Sequence, residues 1–306
     1  MNLPTVKQLR YYVALEEKEH FGRAAETCFV SQSAFSVAIR ELETLVETQL
    51  VDRTNRNVTI TAVGREVAAQ ARLVLKDLET LTEIARGNRA PLSGKLQLGV
   101  IPTIAPFLLP KVLPTLRQCF PAMELYLREE TTHRIYQKLM DGELDLILLA
   151  LPYELRNIES MTLFHDRFRL ACHRSTRLID PYHYRHEDLN SETILLLEDG
   201  HCLRDHALSA CRIRGLDKVS RFSASSLLTL IEMVDADLGI TFLPEIAMGS
   251  PMLTGTGVIT VPLEGEAYRH IALAWRQGSA RADEFRQLGK FISSTWEMLT
   301  GKEEQS

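Results

Sequence analysis

The stretch FGRAAETCFVSQSAFSVAIRELE, residues 21–43, decides how the rest of the chain is read. Phe21, Ala24, Ala25 and Cys28 recur at helical spacing, which predicts a short helix over 21–28 with one apolar face. Cys28 therefore reads as a packed thiol rather than a sensor. Ser31 is placed to cap a second helix whose Phe35, Ala38, Ile39 and Leu42 face inward. Gln32, Ser33, Ser36 and Arg40 then face outward, with 32, 36 and 40 along one line. Short polar side chains and one arginine suit a helix laid in a DNA major groove, and the small alanines before it permit a tight crossing. A polar outer face alone says little, since every surface helix has one.

The flanking sequence is more specific. Before the stretch, Thr5 can cap a helix with Val6, Leu9, Tyr12 and Val13 on its apolar side. After it, Leu50 to Arg53, a polar turn Thr54-Asn55-Arg56, and Val58 to Thr61 read as a small hairpin carrying Arg53 and Arg56 towards phosphates. A long helix from Ala62 to near Gly87 follows. In it, Val67, Ala71, Val74, Leu78, Leu81 and Ala85 are spaced 4, 3, 4, 3, 4, the seam of a coiled coil. A helix packed only on its own domain is the plainer reading, but a DNA-reading module gains from two-fold symmetry, which favours a dimer.

The 306 residues are 45% hydrophobic and 25% charged, ordinary for about two domains with ample core material. With a net charge of -5 and a pI near 6.0, any DNA contact must come from a local patch rather than from the overall field. No run of about 18 apolar residues and no signal-peptide pattern are present, so a cytoplasmic protein without membrane contact is expected. The five cysteines, odd in number and widely spread, do not form a secreted disulfide framework.

Beyond a Pro91 to Gly94 break, strands and helices alternate. Leu96 to Ile101, Glu124 to Glu129 and Leu144 to Leu149 read as strands, which implies a mainly parallel sheet covered by helices. Pro106 and Pro110 are expected in the opening turn of the helix after the first strand, and Pro114 should kink it. On that helix Cys119 falls on the core face with Val112, Leu113, Leu116 and Phe120, and Cys172 falls on a strand. Thr103 and Thr132 each stand where a strand gives way to a helix, the edge at which α/β sheets bind ligands, although both could be mere caps. A second lobe begins near Phe168 to Cys172 and ends near Gly265, and a helix from Arg281 to Leu299 closes the chain.

The segment 195–215, LLLEDGHCLRDHALSACRIRG, sets two cysteines nine residues apart in polar surroundings. Cys202 follows His201, precedes Arg204 and Asp205, and comes after an apolar strand-like run, Thr193 to Leu197, that breaks at Asp199-Gly200. A helix N-terminus and cationic neighbours would stabilise its thiolate and make it the more nucleophilic sulfur. Cys211 lies beside Arg212 and Arg214. One helix over 202–211 would separate the two by roughly 13 Å along its axis, whereas a disulfide tolerates only about 4.4 to 6.8 Å between Cα atoms. Joining them would require the helix to unwind. Two free cysteines without redox chemistry remain the plain alternative.

The run at 21–43 resembles the helix-turn-helix signature of LysR-type transcriptional regulators, with the hairpin and linker helix in that family's order. Three stretches resemble the peroxide-sensing OxyR group of that family in particular: IPTIAPFLLPKVLP at 101–114, THRIYQKLMDGELDLILLAL at 132–151 and LLLEDGHCLRDHALSAC at 195–211. The resemblance covers essentially the whole chain. It implies a mainly α winged helix-turn-helix over 1–61, a linker and dimerisation helix over 62–90, and a two-lobed α/β regulatory domain over 91–306 resembling periplasmic binding proteins. Lobe I would take about 91–166 and 266–300, and lobe II about 167–265. Four positions depart from the family's pattern. Val46-Glu47 replaces a Leu-Gly pair, with glycine usual at a left-handed helix end, Val51 replaces a phenylalanine, and Asp237 stands where a glycine often does.

The resemblance further implies a homodimeric or homotetrameric activator of antioxidant genes, with no cofactor. Its partners would be double-stranded promoter DNA, RNA polymerase, hydrogen peroxide, and a thiol reductant for recycling. DNA contacts would come from Arg23, Ser31, Gln32, Ser33, Ser36, Arg40, Arg53 and Arg56. Peroxide would be held by Thr103, Thr132, His201, Arg204 and Arg269, with Asp205 orienting an arginine. It would oxidise Cys202 to a sulfenic acid that Cys211 resolves to a disulfide. Two rivals stay open. A LysR-type regulator answering a small metabolite between its lobes would not need both cysteines, and a thiol peroxidase would have no use for the helix-turn-helix. His183, His186 and His206 invite a metal, but no further ligands stand at zinc spacing, so none is expected.

Overall fold

The computed structural model describes residues 3–53, 58–85, 92–211, 213, 216–263 and 265–303. The chain divides into two units, residues 1–91 with 137–144, and residues 92–136 with 145–306.

The first unit begins with α1 (Val6–Lys18), α2 (Phe21–Thr27) and α3 (Gln32–Leu45). Thr5 caps α1 through a capping box: its hydroxyl accepts from the Gln8 amide at 3.2 Å, and the Gln8 side chain accepts from the Thr5 amide at 2.9 Å. Ser31 caps α3 by accepting from the Ala34 amide at 3.3 Å. The buried side of α1 is Tyr11, Tyr12, Ala14 and Leu15; of the expected apolar positions Tyr12 is buried, Leu9 and Val13 are half-buried and Val6 is exposed. The helix packs against α2, α3 and α4 together, so its buried sector is turned towards all three. Phe35 anchors the core, stacked on Tyr11 at 5.0 Å between centroids and met edge-on by Phe21 at 6.1 Å.

The wing is a hairpin of β1 (Val51–Arg53) and β2 (Val58–Ile60), with Val51 opposite Ile60. Its turn, including Arg56, lies outside the described residues, as does the Arg53 side chain. Glu43 of α3 accepts hydrogen bonds from the Leu50 and Val51 amides at 3.0 and 3.1 Å, which fixes the wing to the helix. The linker helix α4 (Ala62–Ala85) starts beneath the wing, where a methyl at Gly64 would overlap the Leu50 carbonyl and the Tyr12 hydroxyl. Along the expected seam Ala71 is buried, whereas Val74 and Leu81 are exposed.

Glu47 adopts the left-handed conformation (φ 53°) that the family pattern assigns to glycine. The Glu47 amide donates to Thr44 O at 3.3 Å and the Thr48 amide to Glu43 O at 3.2 Å, a complete Schellman closure. The turn is thus unaltered, and the glutamate carries the strain. Phe29 (φ 56°) closes α2, and Asp237 (φ 57°) closes the helix Leu227–Asp235, in the same way.

The second unit runs β3 (Gly94–Val100), α5 (Ala105–Cys119), β4 (Met123–Glu129), α6 (Thr132–Met140), β5 (Leu146–Leu151) and β6 (Ile158–His173). Then come β7 (Ile194–Leu197), α7 (Cys202–Ala210), β8 (Val219–Ala224), α8 (Leu227–Asp235), β9 (Thr241–Pro244), β10 (Val258–Pro262), β11 (Tyr268–Arg276) and α9 (Ala282–Glu303). The strand order is β10-β6-β11-β5-β3-β4, with β9 also on β6. β3 is parallel to β4 and β5, but β11 inserts between β5 and β6 antiparallel to both, and β9 and β10 pair antiparallel with β6. The sheet is therefore mixed rather than mainly parallel, because a strand from the far end of the chain fills its middle. β6 serves both lobes: residues 158–167 pair with β11, and residues 168–173 with β9 or β10.

Pro106 lies in the first turn of α5, but Pro110 and Pro114 are both interior, each removing one amide from the helical ladder. Cys119 is exposed rather than in the core, since the stripe Phe107, Leu108, Val112 and Leu116 is covered and the helix ends at 119. Cys172 is buried on β6.

Candidate functional site

Cys202 opens α7, with His201 as its N-cap residue; both are buried. The strand β7 delivers the chain to this point, and Gly200, at φ 97°, makes the turn between them in a conformation that L side chains rarely adopt. Cys211 is the C-cap of the same helix, and its amide donates to Ala207 O at 3.0 Å. Both thiols are free. With α7 intact between them they stand roughly 13 Å apart along the axis.

The charge at the site comes from Arg269. It sits on β11 directly opposite Asp166 on β6, and both side chains are almost wholly buried. Arg269 Nε donates to Asp166 Oδ2 at 2.9 Å, Nη1 to Thr103 Oγ1 at 2.9 Å and Nη2 to the Thr103 carbonyl at 3.0 Å. The other Asp166 oxygen accepts from the Ile246 amide at 2.8 Å. A guanidinium tied at three positions is held in place, and its positive charge is felt by the Cys202 sulfur. Thr132 begins α6; its hydroxyl is buried without a hydrogen bond of ordinary geometry, yet it lies close enough to Cys202 to favour the thiolate.

Burial nevertheless dominates. It pushes the Cys202 thiol up, against the pull of Arg269 and Thr132, with Asp205 adding to the rise. The sequence expectation of a stabilised thiolate is corrected here: a thiol shielded from water loses more by ionising than two favourable neighbours return. Burial alone raises Cys211 to about 12.

The expected pocket residues divide in two. Thr103, Thr132, His201, Cys202 and Arg269 are all buried; Arg269 bonds to Thr103 and Asp166, and its charge acts on Cys202. Arg204 instead turns outward: its Nε pairs with Asp199 at 3.2 Å and Nη1 donates to Leu197 O at 3.4 Å. Asp199, not Asp205, holds this arginine, and Asp205 is exposed. Arg212 and Arg214 lie outside the described residues. Sequence reasoning missed Asp166 and weighed His206 only as a metal ligand. Asp166 could have been suspected from its opposite charge in a strand apt to pair with that of Arg269. His206, four residues beyond Cys202 on α7, is buried, and its Nε2 donates to Pro152 O at 2.8 Å. The hydroxyl of Tyr153, next to Pro152, is pushed up by burial and, to a lesser degree, by Cys202.

His183 pairs with Asp180 at 2.8 Å, and among the described residues no three His, Cys, Asp or Glu side chains converge as a metal site would need. No helix among them is long and apolar enough to cross a membrane.

On the first unit, Arg23, Ser31, Gln32, Ser33 and Arg40 are exposed and Ser36 is half-buried. Arg40 Nε donates back to Ser36 O at 3.4 Å, and an Arg23 Nη donates to Lys18 O at 3.2 Å. Residues 6–65 match the model of the bacterial regulatory helix-turn-helix protein, lysR family, and residues 89–297 that of the LysR substrate binding domain. The chain belongs to the LysR family. As such it is a DNA-binding transcription regulator, with a two-lobed regulatory domain behind its helix-turn-helix.

Similar LysR-family proteins include the HTH-type transcriptional regulator EstR of Acinetobacter baylyi, 40% identical over 92% of this chain and 94% of that protein. The DNA-binding transcriptional dual regulator OxyR of Escherichia coli K12 is also 40% identical, over 94% of each chain. Among solved structures, full-length OxyR of Pseudomonas aeruginosa, a cysteine-to-aspartate variant, superposes with a TM-score of 0.80 at 34% identity, over 95% of this chain and 98% of that one.

Proposed function

We propose that this LysR-family regulator senses hydrogen peroxide through Cys202 and reports it to promoter DNA. The observation that carries the reading is the placement of Cys202 at the start of α7, with the anchored Arg269 guanidinium and the Thr132 hydroxyl acting on its sulfur. The likeness to OxyR supports it, as do relatives bearing the name hydrogen peroxide-inducible genes activator. In the reaction, Cys202 sulfur attacks one peroxide oxygen, the O–O bond breaks, and a sulfenic acid and water result. Cys211 then displaces water from the sulfenic acid to give the disulfide, which demands that α7 unwind. Closing so short a loop stabilises the oxidised form by about 2 to 3 kcal/mol in the chain-entropy picture, less strain and lost helix. That difference biases two packings of the regulatory domain and resets the spacing of paired DNA-binding modules in a dimer or tetramer.

In this reading Thr103, Thr132, His201 and Arg269 hold the peroxide, while Gln32, Ser33, Ser36 and Arg40 face the groove. Arg23, Ser31, Arg53 and Arg56 reach the phosphates. RNA polymerase receives the signal, a thiol reductant resets it, and the protein works in the cytoplasm without enzymatic turnover. Peptide mass mapping after stoichiometric peroxide, run beside a promoter footprint, tests the proposal. A Cys202–Cys211 disulfide appearing together with a changed footprint is expected. A footprint that changes with a metabolite and survives Cys211→Ser unaltered would instead establish a metabolite sensor.

A further inference from the structure

His206 lies one helical turn beyond Cys202, so the two side chains share a face of α7, with Cβ atoms about 5–6 Å apart. Side chains on a helix lean towards its N-terminus, which aims the imidazole back towards the sulfur. Its tautomer is fixed by geometry. A carbonyl oxygen can only accept, so the 2.8 Å contact to Pro152 O places the proton on Nε2 and leaves Nδ1 as a bare lone pair. That Nδ1 is buried and has no hydrogen-bond partner, while the residue as a whole is only 5% exposed. An unsatisfied acceptor in such a place costs about 1–3 kcal/mol, so its retention asks for a ligand that donates.

We propose that His206 is a further residue of the peroxide site: its bare Nδ1 accepts a hydrogen bond from the peroxide that Cys202 attacks, and protonation of the ring closes the site. This deepens the peroxide-sensing reading and rests on it. Peroxide carries an O–H on each oxygen, so it can donate to the ring nitrogen through one oxygen while presenting the other to the sulfur. With one O–H on Nδ1, the attacked oxygen faces the sulfur. The S–O bond forms as the O–O bond breaks, the departing hydroxide takes up the proton shed by the attacked oxygen, and the thiolate and peroxide become sulfenate and water. A protonated ring has a donor at both nitrogens and cannot receive that O–H. The groups facing the ring favour the neutral form on balance: burial and the Arg269 guanidinium on β11 oppose protonation, while Pro152 O and Asp205 favour it. The structure therefore keeps the acceptor in place at neutral pH and withdraws it in acid.

The test uses the full-length reduced protein. Cys202 oxidation by peroxide and Cys202 alkylation by iodoacetamide are timed in parallel from pH 7.5 to 5. Alkylation needs the thiolate and access but no proton acceptor, so the ratio of the two rates isolates the contribution of His206. In His206→Leu the ratio at pH 7.5 should fall tenfold or more. His206→Gln, whose amide can donate to Pro152 O and accept through its other atom, should restore most of it. In the native protein the ratio should drop several-fold by pH 5, while His206→Gln stays flat. A Leu variant within twofold of native, or a native ratio that stays flat or falls equally in His206→Gln, would overturn the proposal. Native Cys202 that alkylates normally but ignores peroxide would sink the peroxide-sensing reading itself, a result distinct from the failure of His206 alone.

Discussion

Arg269 and Asp166 stand directly opposite one another on β11 and β6, buried, with Nε and Oδ2 2.9 Å apart. Removing one partner of such a pair strands a charge away from water, which costs about 3–5 kcal/mol. Asp166→Asn should lower unfolding free energy by that amount in urea titration. A loss under 1 kcal/mol would show that Arg269 finds other compensation.

Thr132 acts on the sulfur rather than on the fold. Thr132→Val keeps the shape and removes a hydroxyl that has no ordinary hydrogen-bond partner, so stability should hold or improve slightly. The Cys202 thiol should move still higher, because one of its two thiolate-favouring neighbours is gone. Alkylation of Cys202 at pH 7.5 should slow several-fold, on the order of tenfold for each unit of pKa. An unchanged rate would remove Thr132 from the site.

Cys211 gives a pH signature of folding. Its thiol is raised to about 12 by burial, against about 8.5 in an unfolded chain. The folded state therefore holds a proton that the unfolded state releases, and its stabilisation is full below about pH 8.5 and lost as pH rises towards 12. The stability difference between the native protein and Cys211→Ala should shrink across that window, by at most about 1.4 kcal/mol per pH unit. Denaturant melts at pH 8, 9 and 10 would measure it, and a constant difference would mean that the thiol is better hydrated than its packing indicates.

Glu47 closes α3 at φ 53° without the freedom of glycine. Glu47→Gly should raise the stability of the DNA-binding unit by about 1 kcal/mol, read as a higher melting temperature. Binding to promoter DNA should be unchanged, since the Schellman closure is already formed. A decrease in stability would show that the glutamate side chain contributes contacts outweighing its strain.

The helix-turn-helix was legible because its signals are local. Capping residues at Thr5 and Ser31 and apolar residues three and four apart fix three helices within forty positions. Even so, the buried side of α1 was only partly read: Tyr12 was included, but Tyr11 and Leu15 face neighbours that no single period reveals. The sheet was misread for the opposite reason. β11 reaches its place between β5 and β6 from more than a hundred residues away, and nothing within Tyr268–Arg276 says where it inserts. Thr103 and Arg269 were each identifiable by motif, yet the contact that joins them spans 166 positions. Arg204 was placed in the pocket by adjacency to Cys202, but a helix turns its third residue away from its first, and Asp199 receives it. His206 shares the sulfur's side of that same helix and was weighed only as a metal ligand beside His183 and His186.

The unbroken α7 between Cys202 and Cys211 has a consequence in time. If peroxide strikes Cys202, the second thiol cannot respond until the helix opens, so the sulfenic acid must wait. During that wait a cellular thiol can return the sulfur to its starting state. Under the proposed mechanism a brief pulse of oxidant would thereby be erased, whereas a sustained one would outlast the opening of the helix and be recorded as a disulfide. The stability of nine residues of helix sets the threshold duration, and substitutions on its exposed side, such as Ser209→Gly or Ser209→Ala, would shorten or lengthen the memory of the switch without touching either sulfur.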